Sequence, residues 1–275
     1  MSFYTSLNGL KNAQTDLGVI SQNIANAETT GFKKSRTEFA DIVVGSAFTN
    51  PKLVVGIGAA VESISQNFAL GPIEQTGSAL DLAINGDGFF TTKNVVTQET
   101  LYTRNGSLTV DGGGFIGDGS NNRLQVFPTD AAGAITSQTP VDAQIPGSNG
   151  IDANGNPIEF AGITVGDDGA VTASYADGSN LIIGKVALAS FIAPQGLKQI
   201  GSSNWIASGL SGAATYGQPS TGQYGSLLSG ALERSNVDIA EELVGLITAQ
   251  RNFQANAKAI DTATQISQTV IQLRT

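Results

Sequence analysis

Both ends of this chain carry apolar residues at the period of an α-helix, and such stripes must be covered by each other or by other molecules. At the N-terminal end Phe3, Leu7, Leu10, Leu17 and Ile24 fall at spacings of three, four and seven, with Ala13, Ile20 and Ala27 in a second seam beside them. At the C-terminal end Ile239, Leu243, Leu246, Phe253, Ala257, Ile260 and Ile271 form one seam, and Val244, Ile247, Ile266, Val270 and Leu273 another. Only Lys11 and Asp16 are charged before Glu28, so the polar face of the first segment is Ser, Asn, Gln and Thr, which tolerates burial where partners supply hydrogen bonds. Gly31 offers a stop for the first helix. Ser235 and Asp238 match a capping pattern for the second, with Glu241 and Glu242 in its first turn, where the helix dipole favours negative charge.

Between the ends the pattern changes to short apolar runs at 80–84, 88–92, 101–104, 107–110, 163–165, 171–175 and 181–191. They are separated by Asn85-Gly86, Asn105-Gly106, Asp111-Gly112, Asp168-Gly169 and Asp177-Gly178, which accept the positive φ of tight hairpins. The expected fold class is α+β: long terminal helices at 1–27 and 237–275 pairing as a coiled coil, a connecting region at 28–70 and 227–236, and a central all-β domain of short antiparallel strands at 71–226. Residues 128–160, rich in Pro, Gly, Asn and Asp, read as an irregular loop with no room for a full outer second β domain.

The absence of Cys and His excludes disulfides, thiolate nucleophiles, Cys or His metal sites and imidazole catalysis together. A net charge of -9 argues against nucleic acid, which needs a basic face. Asp111, Asp118 and Asn121 are oxygen-rich like a calcium site, but hairpin turns account for them. Asp152, Asn154 and Asn156 begin like an EF-hand loop, yet Pro157 stands where Gly is required and Ile163 where the bidentate Glu is required. Gly184-Lys185 lacks the Ser or Thr of a phosphate loop, because Val186 follows. Asp167-Asp168 and Glu241-Glu242 are neighbours whose side chains point apart and read as solvated or capping groups. Lys33, Lys34 and Arg36, the only basic cluster, read as a solvated loop, with an ionic contact between subunits as the functional alternative. No catalytic, cofactor-binding or metal residue is expected. The N-terminal segment lacks the basic and apolar regions of a cleaved signal, and no apolar run is long enough to span a bilayer.

Four segments in order carry a resemblance: 6–36, with Asn23, Ala25, Asn26, Thr29, Gly31, Phe32 and Lys33; 71–90 with 102–116; 186–205; and 230–271, with Ser235, Asn236, Val237, Gln250 and Arg251. They resemble the bacterial flagellar axial proteins, the rod and hook subunits. Residues 249–260 are more similar to hook subunits than to the distal rod protein, whereas the missing outer domain matches rod proteins.

The resemblance implies a structural subunit of the flagellar hook, a curved tubular universal joint that passes motor torque to the filament. The distal rod, a rigid drive shaft, is the alternative, and a secreted β-domain adhesin is a more distant one. It further implies a homopolymer whose terminal helices line a channel, with the rod, hook-cap and hook–filament junction proteins and the type III export apparatus as partners. Neither nucleic acid nor a membrane span belongs to this picture, and the subunit would reach the cell exterior without a cleaved signal. The expected assembly seams are Phe3, Leu7, Leu10, Leu17, Ile24, Ile239, Leu243, Leu246, Phe253, Ile260 and Ile271.

Overall fold

A computed structural model describes residues 2–44, 55–130, 133–151 and 157–272. It divides into two compact units, one of 1–27, 34–67 and 237–275, the other of 28–33 and 68–236. The EF-hand-like Asp152, Asn154 and Asn156, and Leu273 of the second seam, lie outside the described residues.

In the first unit helix α1 (Ser2–Ala25) runs antiparallel to α2 (Ile239–Gln272). Gly9 stands at Asn256, Ile20 at Gly245, and Asn23 at Glu242. A Cβ added at Gly9 would overlap the Asn256 side chain, so glycine sets the close approach of the helices there. Val19, Ile20, Ala13, Ala27 and Ala249 are buried. Asp238 caps α2, its Oδ1 accepting from the amides of Ala240 at 2.8 Å and Glu241 at 3.2 Å. Gly31 does not stop α1. The helix ends at Ala25, where the Asn26 and Ala27 amides turn back onto Gln22, Asn23 and Ile24 carbonyls, and Gly31 lies in the second unit.

Inside the expected connecting region, β1 (Ser35–Val44) and β2 (Val55–Gln66) pair antiparallel, with register shifts after Glu38 and Ile42. The second strand contains Gly56, Gly58, Ala59 and Ala60, residues of low strand propensity, which hid it in the sequence. The Asn12 amide of α1 donates to Ala59 O at 2.8 Å.

The second unit is antiparallel β structure. Its main sheet runs 148–151, 157–165, 170–175, 180–186, 122–127, 89–94, 100–103, 204–206 and 198–201. The chain returns beside its own start, with Ser226–Ser229 on Leu82–Asn85 and Ala231–Glu233 on Ile73–Gln75. The span 128–160 is not simply a loop. It holds short strands at Val141–Asp142 and Ser148–Ile151 and the start of Pro157–Val165. One apolar core centres on Leu82, Phe90, Leu124, Val171 and Leu188. A second packs Phe68, Phe89, Tyr102, Phe191 and Trp205 edge to face, with Phe68 and Trp205 centroids 5.4 Å apart.

Burial raises the phenol pKa values of Tyr102, Tyr175 and Tyr224, and at Tyr102 the hydroxyl contact with Tyr216 at 3.0 Å adds to the rise. Folded chains thus keep protons that unfolded chains release near pH ~10. This contribution to stability is fully present below that pH and falls as pH rises toward the folded values. Lys34, raised, acts in the same sense, and Lys33, lowered, in the opposite one. The expected result is a melting temperature that declines in the alkaline range, with tyrosinate absorbance appearing later in the folded than in the urea-denatured protein. Coincident titration curves would refute it.

Candidate assembly site

Two buried ionic constellations, one per unit, fix the segments nearest the terminal helices. In the β unit, Lys33 has no exposed side-chain surface, and its Nζ lies 2.5 Å from Glu233 Oε1 and 2.8 Å from Ala69 O. The same carboxylate accepts the Gly71 amide at 2.9 Å, and Arg104 Nη1 at 3.2 Å on its second oxygen. Arg104 Nη2 donates to Gly86 O at 3.0 Å, and its guanidinium stands 5.3 Å from the Phe89 ring centroid. Burial pushes the Lys33 pKa down; Glu233 opposes that and Arg104 adds to it. The Gly31 amide donates to Glu233 O at 2.8 Å. Gly31 has φ +67°, and a Cβ there would sit 2.5 Å from the Asn105 nitrogen, so two independent reasons require glycine.

In the helical unit the centre is Asn23, itself buried. Its Oδ1 accepts the Ser35 amide at 2.9 Å, and its Nδ2 donates to Ser35 O at 2.8 Å and to Glu242 Oε2 at 3.1 Å. One side chain thereby takes the place of a strand partner for β1 and holds α2 as well. Lys34 bridges Glu242 at 2.8 Å and Glu241 at 3.0 Å. The Lys34 pKa is raised: the two carboxylates outweigh the opposing effect of burial.

These findings correct the sequence expectation of a solvated basic loop. Lys33 is fully buried and Lys34 largely so; of the three cations, Arg36 is the exposed one. Glu242 is likewise a buried partner rather than a solvated group. Asp168 does lie in a turn, with Lys185 2.9 Å away. Asp111 and Asp118 accept amides of their own turns, Gly113 and Phe115 for one, Ser120 and Asn122 for the other. Among the described residues no group of carboxylates could hold a metal ion.

The expected seam residues separate by position. Leu7, Leu10, Leu17, Ile24, Leu246, Phe253 and Ile260 are partly buried, whereas Phe3, Ile239, Leu243 and Ile271 are exposed. Of the motif residues, Gly31, Phe32, Lys33 and Ser235 are buried. Asn26 donates to Gln22 O, Asn236 donates to Ala69 O, Thr29 O accepts the Phe32 amide, and Val237 is partly buried. Gln250 and Arg251 lie exposed on α2. Glu233, Arg104, Ser35 and the pairing of Glu242 were missed. A usable signal existed: Arg104 and Glu233 each interrupt or border an apolar run in a chain with only 13% charged residues.

Each clamp joins separate segments that match family models. Residues 3–33 match the flagella basal body rod protein model, 83–173 the flagellar hook protein FlgE/F/G D1 domain, and 228–273 the flagellar basal body rod FlgEFG protein C-terminal region. The chain is 36% identical to the flagellar basal-body rod protein FlgG of Bacillus subtilis, covering 99% of this chain and 98% of that one. The chain belongs to the flagellar hook and basal-body rod family. FlgG of Borreliella burgdorferi is 33% identical, with 95% of this chain and 94% of the relative covered. The flagellar hook protein FlgE of Escherichia coli is 28% identical over 410 aligned positions, with both chains fully covered. Members of this family are structural proteins of the flagellum, and their shared N- and C-terminal segments are the ones that supply Asn23, Lys33, Glu233 and Glu242 here.

Proposed function

We propose that this chain is a distal-rod subunit, polymerising into a straight tube that carries torque outward from the basal body. The observation that carries this reading is length. FlgG aligns end to end over 288 positions, whereas hook relatives need 410 positions for these 275 residues, so a large part of the hook protein stands opposite gaps. The hook itself is the second reading, favoured by the similarity of 249–260 to hook subunits. Deletion of the coding sequence separates them: a distal-rod role predicts basal bodies lacking both distal rod and hook, while a complete rod lacking only the hook would establish the hook role.

In either role, the proposed arrangement sets α1 and α2 around a channel, with type III export delivering the chain and neighbouring axial proteins capping its ends. The exposed face of α2 carries Gln254, Gln265 and Gln268 and few charges, which suits a surface that touches neighbouring copies or passing unfolded chains. Lys at all three positions is expected to cut assembled flagella severalfold, counted by negative-stain microscopy. Unchanged numbers would remove this part of the proposal.

A further inference from the structure

We propose that two apolar patches near opposite ends of α2 are the two halves of one contact between successive copies of this chain. This rests on its role as a polymer-forming axial subunit and specifies which surfaces meet. The antiparallel register that sets Asn23 at Glu242, Ile20 at Gly245 and Gly9 at Asn256 brings the start of α1 to about position 263. The last turns of α2 therefore run on beyond α1, an overhang of about 14 Å at ~1.5 Å per residue. There Ile266 and Ile271 are 60% and 65% exposed, although Phe253 and Ile260, opposite α1, are partly covered.

The complementary surface is in the same unit, where α1, β1 and the first turns of α2 enclose a groove of about 410 Å³. Its floor is the buried pair Val19 and Ile20, Val244, 66% exposed, lines it, and charged groups including Asp16, Arg36 and Glu241 border the apolar floor. Three observations select a second copy as occupant. The overhang lacks the apolar cover that α1 gives the rest of the seam, and the groove offers cover from α1 itself. Residues 243–250 and 262–272 carry no charge, whereas Arg251, Lys258 and Asp261 lie between them, so these two stretches lose least on leaving water. The patches differ from each other, so their contact is heterologous, and it can repeat head to tail from copy to copy instead of closing as a two-fold dimer.

Because the chain has no cysteine, introduced thiols report this contact alone. Flagellar basal bodies from cells producing Val244→Cys with Ile271→Cys, oxidised and then denatured without reductant, should give a ladder of multimers. Either single variant should give monomer. Assembled tubes without a ladder overturn the contact and leave the axial role intact. A ladder that stops at dimer overturns the head-to-tail order. Failure of the unaltered chain to form tubes overturns both. A charge pair guards against a defect caused by the cysteines: Val244→Asp and Ile271→Lys should each lower assembly about tenfold, and their combination should recover most of it. Additive loss in the double variant overturns the proposal, provided that far-ultraviolet dichroism of each variant matches the unaltered chain.

Discussion

Replacing Glu233 by Gln is expected to destabilise the β unit by about 3–5 kcal/mol, the usual cost of leaving a buried charge without its partner. Among the described residues Glu233 is the one carboxylate hydrogen-bonded to both Lys33 and Arg104, and all three side chains are buried. Gln preserves the shape and the acceptor for the Gly71 amide but removes the anion that the two cations share, leaving only the Asp87 charge acting on Arg104. Lys33→Met is expected to cost less, since Glu233 then keeps Arg104 and Gly71. Against a typical domain stability of ~5–15 kcal/mol, the first change brings the unit close to unfolding at growth temperature. Urea titration followed by the emission of Trp205, the chain's single tryptophan and fully buried in the β unit, measures both variants. If Lys33→Met proves as damaging as Glu233→Gln, the carboxylate is not the counter-ion shared by Lys33 and Arg104.

The same cluster shows where a sequence stops being informative. Periodicity is a local property, so the two helices could be read from the spacing of their apolar residues, and the turns around Asp111 and Asp118 from the preference of Asp and Gly for tight bends. Partner choice is not local. Lys33 looked solvated because its neighbours are Lys34 and Arg36, and what buries it is a carboxylate 200 residues away. Glu242 has the local setting of a helix-start charge, yet its side chain points inward to Asn23 and Lys34, partners more than two hundred positions distant. Strand Asn122–Phe127 escaped notice for another reason: five of its six residues are buried, so it has no alternation of exposed and covered positions to detect. The strand Ser35–Val44 carries β-branched residues, but its partner Val55–Gln66 is diluted by Gly56, Gly58, Ala59 and Ala60, and the pair is defined by its own pairing and by contact with α1.

Both clamps close the chain between its first 35 residues and its last 45. Neither constellation can form until the C-terminal segment is present, because Glu233 and Glu242 supply its anions. On the proposed export as an unfolded chain, this long-range closure would keep the N-terminal segment from completing its own fold early, since ion pairs this deep are formed only when every partner has arrived. Local elements gain no such protection: the hairpin turns and the pairing of 89–94 with 100–103 have their partners nearby in sequence.

Asn23→Leu is expected to dismantle the helical unit selectively. The substitution keeps the branched skeleton, adds the bulk of two methyls in place of the amide oxygen and nitrogen, and gains apolar surface, so a purely hydrophobic account predicts little loss. The polar account predicts a large one, because the Ser35 amide and carbonyl lose their partners in a buried setting, and Glu242 loses a donor. Glu242 keeps Lys34, so at about 1–3 kcal/mol for each of the two orphaned Ser35 groups the penalty is about 2–6 kcal/mol. Asn12→Ala, which removes a single amide bond to Ala59 O, serves as the comparison and should cost about 1 kcal/mol. Helical dichroism should fall in Asn23→Leu at temperatures where Trp205 emission is still native, and tubes should fail to form. If the helical signal and tube formation both persist, Asn23 is not the element that holds β1 and α2 to α1, and the shared apolar seam alone must suffice.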